Sequence, residues 1–510
     1  MSSLRMFFTL PPFSGGRFEQ ATLLGLALCL LLLFVVFRYG SARDVKYAPG
    51  PRPLPLVGNL FSVLKFLKKP HIEAPLLAKR FGGLCMLWIG PRPALVISSL
   101  EDAREILDKK GGSTADRPKS NIFQTRSLPN FVAWAHVGED LRFFRRIYND
   151  LLGPKKAQEI KKYQEYESRI LLLDLCNNPD AFWAHGHRVA ISVIFSAVYG
   201  IRISRLDHPL MIEMFSIWEG IFKRSEPGVL IIDWIPLLEK LPFFLQPWVR
   251  LADSLAAREY AVQHAFLQTL RKQIAAGIEP PCFGVDLINI QKQQKFDDHH
   301  AVGVLSGIVI GGAETTMNMV LSFFKLMALY PDAQQRAQEE LDEVVGPLRL
   351  PTWEDNLPYI RALIKEVHRM CPVTHFGVPH ATTEEMIYQG RTIPSGTTIL
   401  PNMIALHRDP MRYEDAESFM PERFLGDDLD SLASAKHPDY RKRDHVNFGF
   451  GRRLCQEGAS KRPNPFMVDI TPRSDTVLKV IQNVAEGHPD IPDVDSVEIA
   501  DSHLKPKAGL

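Results

Sequence analysis

The residues best suited to chemistry in this chain are Phe448-Gly449-Phe450-Gly451-Arg452-Arg453-Leu454-Cys455, a glycine-broken loop with two arginines that delivers a single cysteine. Gly449 and Gly451 can take positive φ and let the backbone approach a ligand where a side chain would clash. Successive backbone N–H groups can then point at the sulfur and offset its charge, as in an anion-binding nest. Metal ligation would keep the thiol deprotonated at neutral pH. The planar fork of Arg453 suits bidentate pairing with a carboxylate. The same letters also describe a basic surface turn with a buried structural cysteine.

A second concentration is Gly311-Gly312-Ala313-Glu314-Thr315-Thr316, inside an apolar, proline-free stretch from Val302 to Tyr330 that predicts a core helix. Glycine costs about 1 kcal/mol against alanine in a helix interior, and an unpaired carboxylate costs more on burial. Local rules broken in a core element point to a functional site. Small residues would admit a flat ligand against the helix, and Glu314 with Thr315 could relay protons. The alternative is a threonine bonded back onto its own helix, with Glu314 at a water-filled end. A third group is Glu366 and Arg369, which share a helix face at i and i+3, with Arg423 on a later loop, Phe419–Phe424. As a surface pair, Glu366 and Arg369 would be worth little.

The elements that must position these groups sit in a chain of 510 residues, 60 basic against 58 acidic, with 45% hydrophobic content. That composition excludes a disordered or strongly nucleic-acid-seeking protein and fits one large folded body. The six cysteines are scattered with no CxxC pair, which argues against zinc or a disulfide framework and for a reducing compartment. Ala21–Phe37 carries no charge and is followed by Arg38 and Arg43. It is at the short end for a membrane-spanning helix, and no small-residue cleavage site follows it. The expectation is a single N-terminal anchor with the body on the cytosolic side. Tyr47–Pro55 places proline at alternate positions and predicts a stiff, extended spacer. Residues 60–300 read mainly as helix, with a strand pair near Leu84–Ser98.

The order F-x-x-G-x-R-x-C resembles the haem-ligand loop of the cytochrome P-450 family, the haem-thiolate monooxygenases. The resemblance extends over about residues 45–455. The helix pattern [A/G]-G-x-[D/E]-T-[T/S] is met at Gly311–Thr316, ExxR at Glu366 and Arg369, and P-x-R-F at Pro421–Phe424. It implies a mainly α fold with a small β region, haem b, and Cys455 as axial thiolate ligand to the iron. Glu314 and Thr315 would be catalytic. Arg145, His380 and Arg453 would hold the propionates, Phe448 and Gly451 would belong to the cofactor loop, and Glu366, Arg369 and Arg423 would form a structural triad. The family carries a Trp four residues before the propionate arginine, and Leu141 stands there in this chain. Asp116-Arg117-Pro118 is a further family-like stretch with no role assigned.

By the same resemblance the electron donor is an NADPH-dependent flavoprotein reductase, drawn to a basic face around Arg452 and Arg453. The cosubstrate is O2, the substrate is small and largely hydrophobic, and no nucleic acid is involved. The run from Leu357-Pro358-Tyr359-Ile360 to Pro379-His380 is similar to fungal secondary-metabolite enzymes, and the apolar anchor with its Pro-rich hinge resembles the entry to membrane-bound members, which implies a single-pass membrane protein of the endoplasmic reticulum. The expected organisation is an N-terminal tail over 1–20, a transmembrane anchor over 21–37, a Pro-rich hinge over 45–60 and a catalytic domain over 61–455.

After Cys455 the sequence departs from the family. The expected glycine comes one place late, at Gly458, and Pro463, Pro465 and Pro472 fall where a long apolar helix should run. Residues 456–510 are therefore expected to be atypical, either truncated or disordered. A non-catalytic homologue unable to hold haem, the product of a splice variant or degraded gene, is the alternative. A haem-dependent isomerase is a third reading, which Thr315 disfavours.

Overall fold

The computed structural model describes residues 46–54, 57–119, 132–225, 241–455, 467–483 and 491–497, with the isolated positions 25 and 238. The expected anchor over 21–37, apart from Gly25, lies outside the described residues, as does 456–466.

The order of elements is helical with two small sheets. Helices α1 (Leu60–Lys68) and α2 (Pro70–Phe81) lead into strands β1 (Leu84–Ile89) and β2 (Arg92–Ile97). Next come α3 (Leu100–Ala103), a π-helical turn (Arg104–Lys109), α4 (Gly111–Thr114), α5 (Glu139–Leu151), α6 (Pro154–Asn177), α7 (Phe182–Tyr199) and α8 (Pro209–Ser225). The long helices α9 (Pro247–Ala275), α10 (Phe283–Gln294) and α11 (Asp298–Leu329) follow, then α12 (Pro331–Val344) and α13 (Pro358–Met370). Strands β3 (His380–Ala381), β4 (Met386–Tyr388), β5 (Arg391–Ile393) and β6 (Thr398–Pro401) precede α14 (Met403–His407), α15 (Ser431–Ala435) and α16 (Asp475–Asn483).

The larger sheet runs β1-β2-β6-β3. β1 and β2 form the hairpin expected from the alternating apolar runs, with Leu84 opposite Ile97. β6 joins β2 in parallel, Ala94 opposite Thr398, and β3 closes the far edge antiparallel to it. The apolar stretch around Val302–Tyr330 is helix, started by Asp297, whose carboxylate caps the His300 amide at 2.9 Å. Among the described residues α11 is the helix long and apolar enough to cross a bilayer, yet it is mostly buried and runs through the core.

The main core packs α5, α7, α8, α9, α10 and α11 around Trp218, Phe195, Tyr199 and Phe266. The Phe195 and Phe266 rings meet edge-on at 4.8 Å, an arrangement worth about 0.5–1.5 kcal/mol beyond the area buried. A second core lies against the sheet and includes Met86, Leu95, Ile97, Leu107, Leu406, Val446 and Phe450. Helix α13 begins at Pro358, where a missing N–H is harmless. The carboxylate of Glu340 takes the next two amides, Tyr359 at 2.7 Å and Ile360 at 3.0 Å.

The composition of 456–510 predicts little regular structure, but its described parts are built into the fold. Val494 and Val497 are buried in the main core. The Arg202 amide donates to the Pro492 carbonyl at 2.8 Å, and the Val494 amide to the Arg202 carbonyl at 2.8 Å. Val468 and Ile470 pack against Leu175, Phe182 and Leu321. Apolar residues spaced along this tail seat it, and neither periodicity nor net polarity reveals that.

Candidate active site

Phe450 anchors the cysteine loop because it is fully buried in the sheet-side core, where a phenylalanine is worth about 1.5–3 kcal/mol. Gly449 and Gly451 take φ of 79° and 55°. The Gly451 amide donates to Asp108 Oδ1 at 2.7 Å, and a Cβ on this residue would lie 2.1 Å from the Leu107 carbonyl oxygen. The loop thus touches the π-helical turn backbone to backbone. Its amides are largely spent within the turn: Gly449 on Val446, Arg453 on Phe450, Leu454 on Gly451, and Cys455 on the Phe448 carbonyl at 2.6 Å. The open nest of N–H groups expected around the sulfur is, for these amides, a self-bonded turn. The turn fixes the direction in which Cys455 leaves it.

A cationic cradle surrounds the end of this loop. Arg453 turns inward and donates from Nε to the Ala115 carbonyl at 2.6 Å and from its other nitrogens to the Val132 and Ala135 carbonyls. Of the basic face expected from Arg452 and Arg453, only Arg452 is exposed. Arg117 donates to the Ala133 carbonyl at 2.6 Å and to Val378 and Pro379 at 3.1 and 2.8 Å. His380 donates from Nδ1 to the Thr114 carbonyl at 3.0 Å. Arg145 donates to the Arg452 carbonyl. Leu141, standing where the family's Trp would be, is buried.

Burial, and next the charge of Arg453, hold the Arg117 guanidinium well below its ordinary value; Asp116 and Cys455 pull the other way. Burial brings Arg453 down to about 10. Burial, then Arg117, brings His380 down to about 3, so its imidazole is uncharged at neutral pH. Two desolvated guanidiniums side by side, their hydrogen bonds going to carbonyls, are a charge arrangement that wants an anion. The carboxylate acting on both is Asp116, which itself accepts from the Val137 amide and contacts His136, each at 2.9 Å. A ligand bearing two carboxylates would balance the cradle. These residues fit haem: Arg117, Arg145, Arg453 and His380 would hold its propionates and Cys455 would hold its iron. Sequence reasoning assigned no role to Arg117, whose partners Val378 and Pro379 lie far along the chain.

Helix α11 carries Glu314, buried, and Thr315, whose hydroxyl donates to the Gly311 carbonyl at 2.7 Å. Thr315 therefore adopts the back-bonded state, but Glu314 is enclosed rather than placed at a wet helix end. The expectation that the paired glycines make room for a flat ligand does not hold for Gly312. A Cβ there would meet Ile194 Cδ1 at 2.6 Å, so Gly312 lets α7 and α11 approach each other.

Glu366 and Arg369 are fully buried and paired fork to fork, Nε to Oε2 and the second nitrogen to Oε1, both at 2.7 Å. Arg423 adds Nε to Glu366 Oε1 at 3.1 Å, and the Met420 amide adds a further bond at 2.8 Å. Arg369 also donates to the His407, Ala416 and Ser418 carbonyls at 2.8–2.9 Å. One carboxylate thus ties α13 to two later loops.

A family model described as cytochrome P450 matches residues 48–456, ending one residue past Cys455. The chain is 45% identical over 427 residues to the monooxygenase polD of Polytolypa hystricis, covering 83% of each protein. It is 33% identical over 481 residues to the monooxygenase virE of Hypocrea virens, covering 93% of this chain and 86% of that one. Against the monooxygenase fogE of Aspergillus ruber it is 33% identical over 418 residues, 81% of this chain and 77% of that protein.

Proposed function

The chain belongs to the cytochrome P-450 monooxygenase family, and from that premise we propose that it holds haem b through Cys455 and inserts one oxygen atom from O2 into a small, largely hydrophobic substrate. The observation that carries this reading is the cradle: Arg117 and Arg453, desolvated together beside Cys455 and bonded to carbonyls. Haem held there would supply O2 activation, with electron donation from the Cys455 sulfur favouring O–O cleavage.

The residues around it bind, orient and move protons. Arg117, Arg145 and Arg453 would neutralise the two propionates, and His380, whose single N–H goes to the Thr114 carbonyl while it is uncharged, would donate to a propionate only as the imidazolium that the carboxylate's charge favours. The Phe448–Cys455 turn fixes the sulfur. On α11, the Thr315 hydroxyl, bonded here to the Gly311 carbonyl, would supply a proton to the reaction and Glu314 would resupply it. Glu366, Arg369 and Arg423 hold the scaffold and touch no reacting atom. The role extends to secondary metabolism on the strength of the fungal resemblance. The domain sits on the cytosolic side of a membrane behind an anchor at 21–37, and an NADPH-dependent flavoprotein reductase docks near Arg452. A second reading, a homologue without stable haem, is favoured by one observation: the family match ends at residue 456, where the departing residues begin.

The carbon monoxide difference spectrum of the reduced, membrane-extracted protein tests both. The red-shifted Soret band of thiolate-ligated haem is the expected result. A blue-shifted band refutes Cys455 ligation, and no haem signal refutes the enzyme.

A further inference from the structure

Behind the cysteine loop lies a group of histidines that the reaction does not use, His407 and His445 fully buried and His368 half-buried. His368 projects from α13 between the triad members Glu366 and Arg369, His407 ends α14, and His445 precedes the loop. The His368 and His445 rings stack at 4.6 Å with 21° between planes, and His407 meets His445 edge-on at 6.5 Å. His445 also touches the Phe448 ring at 5.3 Å. Phe448 is the residue whose carbonyl takes the Cys455 amide.

Each imidazole offers an unprotonated nitrogen to the segment that leads into the loop. His407 Nε2 accepts from the Val446 amide at 2.9 Å. His445 Nδ1 accepts from the Asn447 amide at 3.3 Å. His368 Nδ1 faces Asn447 Nδ2 at 3.4 Å, and the same nitrogen donates to the His368 carbonyl at 2.8 Å. Two of the donors are backbone amides, which cannot reverse their role, and the Asn447 carboxamide is held in its orientation by the Val373 amide, which donates to its Oδ1 at 3.3 Å, and by the His368 carbonyl. A proton gained by any of these ring nitrogens would set N–H against N–H and break the contact.

We propose that His368, His407 and His445 are positioning residues for the Cys455 loop, bracing Val446, Asn447 and Phe448 only while all three rings are uncharged. The inference rests on the haem-thiolate reading for its consequence but not for its geometry. The charged groups facing the rings are Lys365 and Arg369 from α13, Arg412 from the turn after α14, and Asp444 beside His445. Burial first, then His445 for His368 and Arg412 for His445, holds both rings at about 3. Burial and His445 hold His407 well below its ordinary value. These folded-state values lie below the ordinary value of about 6.5. The brace is therefore complete above that value and weakens as pH falls from about 6.5 toward 3, because the released loop binds more protons.

The test is amide hydrogen exchange in the full-length chain as purified, from pH 7.5 to 4.5 by the order-of-magnitude window of these shifts, corrected for intrinsic rates. Peptides spanning 446–455 are compared with a core peptide from α9. Below about pH 6.5, loop opening should rise up to about tenfold per pH unit for each histidine protonated on release, while the core peptide stays protected. The double variant His407→Gln, His445→Asn keeps an acceptor at both places and removes two of the three titrations, so it should cut that rise to the part His368 supplies, at most about tenfold per pH unit. His407→Leu should open the loop at every pH. In the haem-loaded fraction, acid conversion of the thiolate band should follow the loop peptides. Loop exchange that follows the core peptide, or a double variant as acid-sensitive as the parent, overturns the proposal. Failure to bind haem would refute the enzyme reading, while the exchange data still decide the brace.

Discussion

Gly451→Ala puts the close approach of the cysteine loop to the π-helical turn under direct stress. Residue 451 holds φ at 55°, where an alanine is disfavoured by roughly 1–2 kcal/mol. Its Cβ would also sit 2.1 Å from the Leu107 carbonyl oxygen. Backbone cannot swing aside as a side-chain tip can, so the loop must withdraw from the turn. Withdrawal breaks the 2.7 Å bond from the Gly451 amide to the Asp108 carboxylate, a bond to a charged group worth about 1.5–3 kcal/mol. Together these effects amount to about 3–5 kcal/mol, roughly a 10²–10⁴-fold weakening of the seated loop. The assay is haem per chain with the carbon monoxide spectrum, set beside thermal unfolding followed by the fluorescence of core tryptophans such as Trp218. The expected variant loses haem and thiolate signal while its helical core melts near the parent temperature. A Gly451→Ala protein with parental haem content and band position would refute the reasoning about this contact.

Glu366→Gln removes the charge that balances Arg369 and Arg423, and breaking a buried pair of this kind costs about 3–5 kcal/mol. Thermal denaturation should show a marked loss, and a parental midpoint would argue against the triad as a scaffold. Gly312→Ala gains about 1 kcal/mol of helix propensity, but its Cβ would meet Ile194 at both Cδ1 (2.6 Å) and Cγ1 (2.9 Å), an overpacking that costs about 1–3 kcal/mol. Stability should fall by up to about 2 kcal/mol with haem content unchanged, as checked by denaturant titration and absorbance; lost haem would place Gly312 against the cofactor after all.

The parts legible in the sequence are those whose logic is local. The helix around Val302–Tyr330, the hairpin near Leu84–Ser98 and the i, i+3 relation of Glu366 and Arg369 follow from periodicity and spacing. What escaped depends on distant partners. Arg117 is noticeable in Asp116-Arg117-Pro118, but its role emerges only where Val378 and Pro379 arrive beside it. Arg453 reads both as a carboxylate partner and, with Arg452, as part of a basic face, because the Ala115 carbonyl that draws it inward lies in the first quarter of the chain. Gly312 reads as room for a ligand because nothing local announces Ile194. In the tail, Val494 is a single valine among acidic residues, and its burial follows from the Arg202 backbone that it pairs with.

The parallel pairing of β2 with β6 has a consequence for how the protein is made. Ala94 and Thr398 are about 300 residues apart in sequence, and synthesis proceeds at about 5–20 residues per second. The β1–β2 hairpin therefore waits on the order of 15–60 s on the ribosome with one edge unpaired. An unpaired edge is a template for another chain. The sheet-side core, the carbonyl acceptors for Arg453 and the seat for Gly451 stay half-built through the same interval. The site is thereby completed late, only after β6 and the Cys455 loop have been made, and through that wait the unpaired strand edge is the part most open to pairing with another chain.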